Sequence, residues 1–250
     1  MKLAMVACII ACLPGMCSLA QSQPTTWTDS SFLQPVEVTA VRAADKTPVA
    51  KTNLSRQEIA EKNIGQDLPF ILNHTPSVVV SADAGNGIGY TGIRIRGSDA
   101  SRINITLNGI PYNDAESQGT FLVNIPDIAS SASSIQVQRG VGTSTNGAGS
   151  FGGSINLSTN EVITKKGLEF NNTAGSFHSF KNSLLLNSGI FAKHFTADAR
   201  LSSIRSDGYI DRASSRLQSL YLSTAYVASK QSLRFNFITG KEKTYQAWNG

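Results

Sequence analysis

An alternation of apolar and polar residues runs through the last third of the chain and restricts its fold more than any other feature. From Gly167 onward, segments of about nine to twelve residues alternate in this way and are separated by Gly, Ser, Asn and Asp. In residues 195–201, aliphatic and aromatic side chains fall on one face, and Asp198 and Arg200 fall on the other. Residues 220–226 and 233–237 repeat the pattern. It is typical of transmembrane barrel strands with a polar lumen and lipid outside, although strands of a soluble β-sandwich also alternate.

The first 20 residues are interpreted as a signal peptide. Lys2 supplies a minimal charged region, residues 3–13 are apolar, and Ser18 and Ala20 place small residues before the expected cleavage site. The apolar run is too short for a membrane-spanning helix, which needs about 20 residues. All three cysteines lie in this leader, so we expect a mature chain without disulfides or thiolate metal sites.

The central part of the chain predicts a compact α+β domain over residues 47–161. Ser55 and Glu58 have capping-box spacing at the start of a helix over residues 54–63, and a second short helix is expected over residues 67–73. Asn108-Gly109 predicts a type I′ turn. We expect two strand pairs, formed by residues 93–97 with 103–107 and residues 135–139 with 155–159.

A glycine-rich segment between the last two of these strands imitates a nucleotide-binding loop. Residues 147–152 match G-x-G-x-x-G and follow a strand. Dinucleotide binding also needs a helix directly after the loop, because the helix N-terminus holds the pyrophosphate. Here a strand follows, and Ala148 stands where a phosphate loop needs lysine. We therefore interpret the glycines as permitting tight turns and close backbone approach.

No other pattern predicts an enzyme, a metal centre or a nucleic-acid site. His74, His178 and His194 lack metal-ligand spacing, and no G-x-S-x-G nucleophile elbow occurs. Asp114 and Glu116 are a close carboxylate pair whose simplest interpretation is a polar surface loop. The net charge is +5, but the basic residues are scattered, whereas nucleic-acid binding requires a cluster. We expect no catalytic residue, no cofactor and no bound metal.

A short alternating segment, Pro35–Val41, stands apart from the rest of the chain. It follows a polar stretch at residues 21–33 that is typical of a flexible tether. An isolated extended segment beside a flexible terminus is suited to pairing with the sheet edge of another protein. An ordinary first strand of the next domain fits these residues equally well.

Three motifs in one order resemble TonB-dependent outer-membrane receptors. Residues 93–114, IRIRG…NGIPYND, resemble the family's IRG…NGVP segment, and residues 135–159 resemble its plug segment with YGSGALGGVINI-like text. Residues 67–78 resemble the preceding plug helix and strand. In that light Val36–Val41 is similar to a TonB box, and the strands from Gly167 are similar to the start of the barrel. The similarity covers most of the mature chain.

The resemblance implies a fold, a location and partners. The fold would be an α+β plug domain followed by the start of an all-β transmembrane antiparallel β-barrel, which has about 22 strands in such transporters. The location would be the bacterial outer membrane. The receptor would take up a scarce ligand such as a ferric siderophore or cobalamin, and TonB, with its inner-membrane energising complex, would pull on the box. The implied segments are a signal peptide at residues 1–20, a flexible N-terminus at 21–46, the plug at 47–161 and barrel strands at 162–250.

The resemblance also implies roles for individual residues. Arg96 and Arg139 match plug arginines that face acidic residues of the barrel wall, since buried arginines need partners; exposed strand positions are the alternative. Plug apices would line the ligand site, with Asp83–Thr91 as one polar loop, although such loops can also merely close hairpins. The TonB-binding residues would be Val36, Glu37, Val38, Thr39, Ala40 and Val41, and the apical ligand-binding residues would be Tyr112, Asn113, Asp114, Glu116 and Gln118. These apical side chains suit a metal chelate, cobalamin or an oligosaccharide equally well.

The chain departs from the family in length. About 85 residues follow the predicted plug, which is enough for about four or five strands of 9–11 residues. A barrel cannot have open edges in lipid. We therefore expect a fragment of a longer protein. The alternative is a non-transporting envelope module that binds a ligand or has a structural role.

Overall fold

The structure, a computed structural model, describes residues 41–142, 147, 149–228 and 231–245. The predicted signal peptide and the TonB-box-like segment, apart from Val41, lie outside these residues, as does part of the glycine-rich loop. Within the described ranges, every helix is too short or too polar to cross a bilayer.

The N-terminal α+β unit, residues 51–158, is called the plug here. Its two short helices and seven strands surround one aliphatic core. The elements are β1 (Lys51–Ser55), α1 (Arg56–Lys62), α2 (Leu68–Ile71), β2 (Val78–Ala82), β3 (Thr91–Ile95), β4 (Ile103–Leu107), β5 (Ile110–Pro111), β6 (Ser134–Arg139) and β7 (Gly153–Ser158), with 3-10 turns at Ala100–Arg102, Leu122–Asn124 and Ile128–Ser131.

The plug core lies beneath a five-stranded sheet with the order β1-β6-β7-β4-β5. β4 pairs in parallel with β7, and the other neighbours are antiparallel. Ile103, Ile105, Ile135 and Ile155 project from its central strands and are fully buried. Branched aliphatic side chains suit such strands because they pack well on a pleated surface.

Two local predictions are confirmed. Ser55 caps α1, and its N–H donates to the Glu58 carboxylate at 2.8 Å, which completes the capping box. Leu54 and Ile59, on either side of this cap, are buried in the same core. Asn108 and Gly109 have φ values of 53° and 84°, the left-handed pair that a type I′ turn requires.

One predicted strand pair is confirmed and the other is wrong. β6 pairs with β7 as expected. β3, however, pairs with β2, whereas β4 lies in the other sheet. Arg96 and Gly97 both have positive φ, and together with the 3-10 turn at Ala100–Arg102 they redirect the chain between the two sheets.

The C-terminal strands form a five-stranded antiparallel sheet, called the wall here. Consecutive strands are neighbours, and the sheet is not closed within the described residues. The strands are β8 (Lys166–Gly175), β9 (Ser179–Ser188), β10 (Phe195–Ser206), β11 (Ser215–Val227) and β12 (Ser232–Thr244). The predicted alternation is confirmed: Leu201, Leu233 and Phe235 are exposed on the outer face, whereas Asp198 and Arg200 are buried on the inner face, which the plug covers.

The plug contacts the wall at two opposite ends. At one, the loop end, the carbonyl of Ala84 accepts hydrogen bonds from the backbone N–H groups of Tyr209 and Ile210, in the connection between β10 and β11. At the other, the linker end, Arg234 donates to the carbonyl of Asn160 at 3.1 Å, just before the chain enters β8. The plug is therefore continuous with the wall at one end and touches a strand connection at the other.

Candidate functional site

The apolar part of the interface between plug and wall consists of Ile238 of β12, which packs against the plug core, and a second, separate cluster. Ile88 and Val123 of the plug pack with Ile204 and Leu217 of the wall, and Tyr90 lies against this cluster. The strongest remaining contacts on the inner face of β9 and β10 are polar, so the candidate site is the polar part of this interface.

Asp127 is the centre of that polar contact. Its Oδ1 accepts from Lys181 Nζ at 2.7 Å, and its Oδ2 accepts from Arg200 Nη1 at 2.7 Å and from Ser202 Oγ at 2.6 Å. The side chains of Asp127, Lys181 and Arg200 are 2%, 5% and 1% exposed. Ser130 also donates to Oδ1 at 2.6 Å. A single plug carboxylate is thus shared by two buried wall cations, and we call these five residues the latch.

The local sequence explains how the latch residues meet. Asp127 has left-handed backbone angles (φ 55°, ψ 28°) just before the 3-10 turn that contains Ser130. Strand periodicity directs Lys181 of β9 and Arg200 of β10 to the inner face of the wall. Lys181 also donates to Asn63, the C-cap of α1, at 2.9 Å. The latch therefore joins two wall strands to two separate parts of the plug.

The electrostatics of the latch favour a charged Asp127. Burial on its own would raise the pKa of the Asp127 carboxyl, but the charges of Arg200 and Lys181 and the hydrogen bonds to this group outweigh burial and hold the pKa below its usual value. A buried ion pair of this kind costs several kcal/mol to break by removing one partner, on the order of 3–5 kcal/mol, because the other charge is left unpaired. Sequence reasoning did not predict this site.

A second buried carboxyl, Asp67, lies at the start of α2. Its Oδ2 accepts a hydrogen bond from Thr91 Oγ1 at 3.2 Å, and its backbone N–H donates to the carbonyl of Gly87 at 2.9 Å. Burial raises the pKa of Asp67 to about 7; the hydrogen bonds from Thr91 and Gly89 oppose this shift, and the charges of Asp127 and Glu242 add to it. Asp67 thus holds the loop at residues 83–90 to α2 and titrates close to neutral pH.

The loop end carries a further polar contact. Asn86 Nδ2 donates to Ser206 Oγ on β10 at 2.6 Å. The rings of Phe177 and Tyr209, which lie in two wall connections, meet edge to face at 5.3 Å between centroids. The predicted apical loop Asp83–Thr91 is therefore bound to the wall at this end.

The predicted plug–barrel arginines occupy positions away from the latch. Arg96 is exposed and its guanidinium lies against Gly140, and Arg139 donates to the carbonyl of Pro76 at 3.4 Å. Among the described residues, neither forms an ion pair with an acidic wall side chain. Their pairing stays a prediction, and the plug–wall ion pairs that the structure does contain have the opposite polarity, an acid on the plug and bases on the wall.

The predicted apical residues divide into two groups. Asn113 is turned inward, where it accepts from the Ile105 N–H and donates to the Ile103 and Gln118 carbonyls. Asp114 Oδ1 accepts from the Glu116 and Ser117 N–H groups, so it stabilises the turn. Tyr112 is half-buried and its hydroxyl donates to the carbonyl of Phe121 at 3.5 Å, whereas Glu116 is exposed. Gln118 has a left-handed φ of 58°, and its amide donates to the carbonyl of Ala115 at 3.3 Å.

We find no candidate metal site among the residues that the structure describes. No three His, Cys, Asp or Glu side chains in them are grouped so that they could hold a metal ion. Of the predicted TonB-binding residues, only Val41 is described, and its carbonyl accepts from the Gln138 side chain at 3.2 Å.

Comparisons with known proteins agree with this architecture. The family model described as the TonB-dependent Receptor Plug Domain matches residues 43–154. The ferric-catecholate import receptor Fiu from E. coli K12 is 19% identical with a TM-score of 0.61, covering 78% of this chain and 27% of that one. The pyoverdine outer membrane receptor FpvA from Pseudomonas aeruginosa is also 19% identical with a TM-score of 0.61, over 76% and 27%. The copper transporter OprC is 18% identical with a TM-score of 0.65, over 80% and 32%. No curated protein sequence matches the chain.

The α+β plug lies against the polar inner face of an antiparallel sheet whose other face exposes aliphatic and aromatic side chains, and the solved outer-membrane receptors share this fold. Residues 43–154 match the TonB-dependent receptor plug family, and the plug and wall together share the fold of the corresponding part of the solved receptors. This is a family of receptors and transporters, not of enzymes. The chain spans about a quarter to a third of the length of the solved relatives.

The raised pKa of Asp67 predicts that the plug loses stability as the pH rises. Between about pH 4 and pH 7, Asp67 keeps a proton in the folded chain that it has released in the unfolded chain. The free energy of unfolding therefore falls as the pH rises, by up to about 4 kcal/mol. The loss is complete above the folded-state pKa of about 7. Thermal unfolding of the chain in detergent micelles at pH 5 and pH 8 checks this. Asp67→Asn should raise the melting temperature at pH 8 relative to the wild type and flatten its pH dependence.

Asp83→Asn is the matched control, because Asp83 lies in the neighbouring loop and is exposed, outside the core. It should keep the wild-type pH profile. A wild-type pH profile in Asp67→Asn as well would show that another group causes the dependence.

Proposed function

We propose that the chain is the N-terminal part of a transporter that takes up a scarce ligand through the outer membrane, with TonB supplying the mechanical work. The observation that carries this proposal is the latch, in which buried polar contacts centred on Asp127 hold the plug against the wall. A domain that blocks the lumen and later has to leave it needs contacts that are strong while they are buried. Water must be able to replace these contacts once it enters. Ion pairs meet both needs, because water entering the lumen solvates the separated charges.

An apolar interface would behave differently. Each buried aliphatic side chain stays unfavourable in water, by about 1.5–3 kcal/mol, so a wholly apolar plug surface would resist displacement into a hydrated space. The apolar part of this interface is limited to the cluster around Ile88 and Leu217 and the contact of Ile238 with the plug core, and the polar latch lies beside them. The composition of the interface therefore supports a plug that moves rather than one that is a permanent part of the wall.

The segment that follows the predicted TonB box is fastened to a central strand of the plug. The Gln136 side chain accepts from the Ala43 N–H at 2.7 Å and donates to the Ala43 carbonyl at 3.1 Å. The Gln138 side chain donates one further hydrogen bond to the Val41 carbonyl, at 3.2 Å. A pull on residues 36–41 would thus act on β6, and β6 follows Asp127 after only the 3-10 turn at Ile128–Ser131. We infer that this connection carries force from the box to the latch.

The proposed ligand class is a metal chelate such as a ferric siderophore, with cobalamin as a further member of the same group of scarce ligands. Fiu is a ferric-catecholate import receptor, FpvA a pyoverdine receptor and OprC a copper transporter. The proposed recognition residues at the plug apex are Tyr112, which is half-buried, and Glu116, which is exposed.

Replacement of Val38 by proline tests the coupling to TonB. The box should pair as a strand with the C-terminal domain of TonB through backbone hydrogen bonds, and proline removes one donor. Site-specific crosslinking in cells should fall to background for Val38→Pro, and ligand uptake should be lost. Val38→Ala, which keeps the N–H, is the control and should crosslink normally. Undiminished crosslinking of the proline variant would contradict the box assignment and favour a non-transporting module.

Replacement of Tyr112 and Glu116 tests ligand capture. In the complete receptor, Tyr112→Ala with Glu116→Ala should weaken ligand binding about tenfold or more, because a stacking face and a charged acceptor are lost together. Asn113→Ala is the contrasting variant. Because the Asn113 side chain forms its hydrogen bonds with backbone groups of Ile103 and Ile105, this change should lower the stability of the plug. Wild-type affinity in the double variant would assign recognition to other parts of the receptor.

A further inference from the structure

We propose that Lys181 and Arg200 form an anion-binding site on the inner wall, which the Asp127 carboxylate fills at rest and an anionic group of the transported ligand fills after the plug is displaced. The inference deepens the proposed transport function and rests on it for the role of the ligand. The site itself is defined by the contacts of the described residues.

The wall supplies most of the donors that surround the carboxylate. Lys181 Nζ and Arg200 Nη1 each lie 2.7 Å from a carboxylate oxygen, and Ser202 Oγ lies 2.6 Å from one. All three belong to neighbouring strands of the wall and stay in place when the plug moves. The arrangement of two cations and a hydroxyl around an anionic pair of oxygens is a recognition site for a carboxylate or a similar group.

A separate observation shows that Asp127 does not use the full capacity of this site. Arg200 is 1% exposed, yet its Nε has no hydrogen-bond acceptor among the described residues. Its Nη1 alone serves both the carboxylate and the backbone carbonyl of Asp127. A buried guanidinium donor without an acceptor is costly. A ligand with more oxygens than a single carboxylate would satisfy it, because the guanidinium fork presents donors on two sides.

The space beside the latch is large enough for part of a small ligand. A cavity of about 280 Å³ is lined by Asn86, Phe177 and Lys181, and a second of about 290 Å³ is lined by Arg56, Glu169 and Lys181. Lys181 therefore borders both cavities, and Arg200 borders the second. The latch lies where the two cavities approach each other, so its opening would connect them along the inner face of β8 and β9.

The charges around these cavities determine the ligand class. Lys181, Arg200 and Arg56 line them as cations, and Glu169 is the acidic lining residue. Once Asp127 leaves, positive charge is in excess. The site therefore favours small anionic, oxygen-rich molecules, such as a chelate that carries free carboxylates, over neutral or cationic ones.

The test removes the internal anion and supplies an external one. Asp127→Ala is prepared in the full chain in detergent micelles, and citrate is the probe, at pH 7 and at an ionic strength held constant with sodium chloride. Isothermal titration should show citrate binding about tenfold or more tighter than in the wild type, the scale of a charge-assisted hydrogen bond. Citrate should also raise the melting temperature of the variant. Asp127→Asn, which keeps the side-chain volume, is the second variant and should show the same stabilisation.

Two controls define the outcome. Asp45→Ala removes a carboxylate whose side chain is 97% exposed and should gain no citrate binding. Asp127→Ala combined with Arg200→Gln should lose the binding that Asp127→Ala gains. Absence of any citrate effect in both Asp127 variants, or an equal effect in Asp45→Ala, would overturn the proposal. Neither readout involves TonB or uptake, so failure here leaves the transport proposal standing, and failed crosslinking of the box leaves this site standing.

Discussion

The carboxylate of Asp127, shared between Lys181 and Arg200, is the interaction on which the rest of the assembly depends. Two cations at the inner face of the wall are buried by the plug, and buried charge without a partner costs several kcal/mol. The plug can therefore cover this part of the wall only in the position that brings Asp127 to them. The apolar contacts around Ile88 and Leu217, and that of Ile238 with the plug core, add stability in that position, but their loss would leave no buried charge unpaired.

The position of Asp127 in the chain links this contact to the rest of the plug. The residue precedes a 3-10 turn that leads directly into β6, and β6 carries the glutamine side chains that hold the segment after the TonB-box-like sequence. Displacement of β6 would therefore withdraw the carboxylate from the wall. Lys181 also contacts Asn63 at the end of α1, so the same displacement would release a second part of the plug.

The sequence predicted the fold well where the pattern is local or periodic. The capping box at Ser55, the type I′ turn at Asn108 and the alternating faces of residues 195–201 each depend on neighbours within a few residues, and each is confirmed. The pairing of β3 was predicted wrongly because adjacency in sequence favoured a hairpin, whereas the positive φ at Arg96 redirects the chain to a different sheet.

The site was largely beyond sequence reasoning. The alternation placed Arg200 on the polar face, but its partner Asp127 is 73 residues away in an irregular segment. No periodicity marks that aspartate, and only its place among apolar neighbours in the stretch IPDIAS indicates burial. Arg96 and Arg139, the basic residues chosen from the family resemblance, lie elsewhere on the plug.

Mechanical extraction of the plug tests the central claim most directly. With the receptor in a membrane and a handle at its N-terminus, single-molecule force spectroscopy measures the force at which the plug first separates from the wall. The latch predicts a clearly lower force for Asp127→Asn, because Lys181 and Arg200 lose their counter-charge, and an unchanged force for Asp45→Asn at an exposed position. An Asp127→Asn plug that separates at the wild-type force would contradict the claim that this ion-pair cluster holds the plug in place.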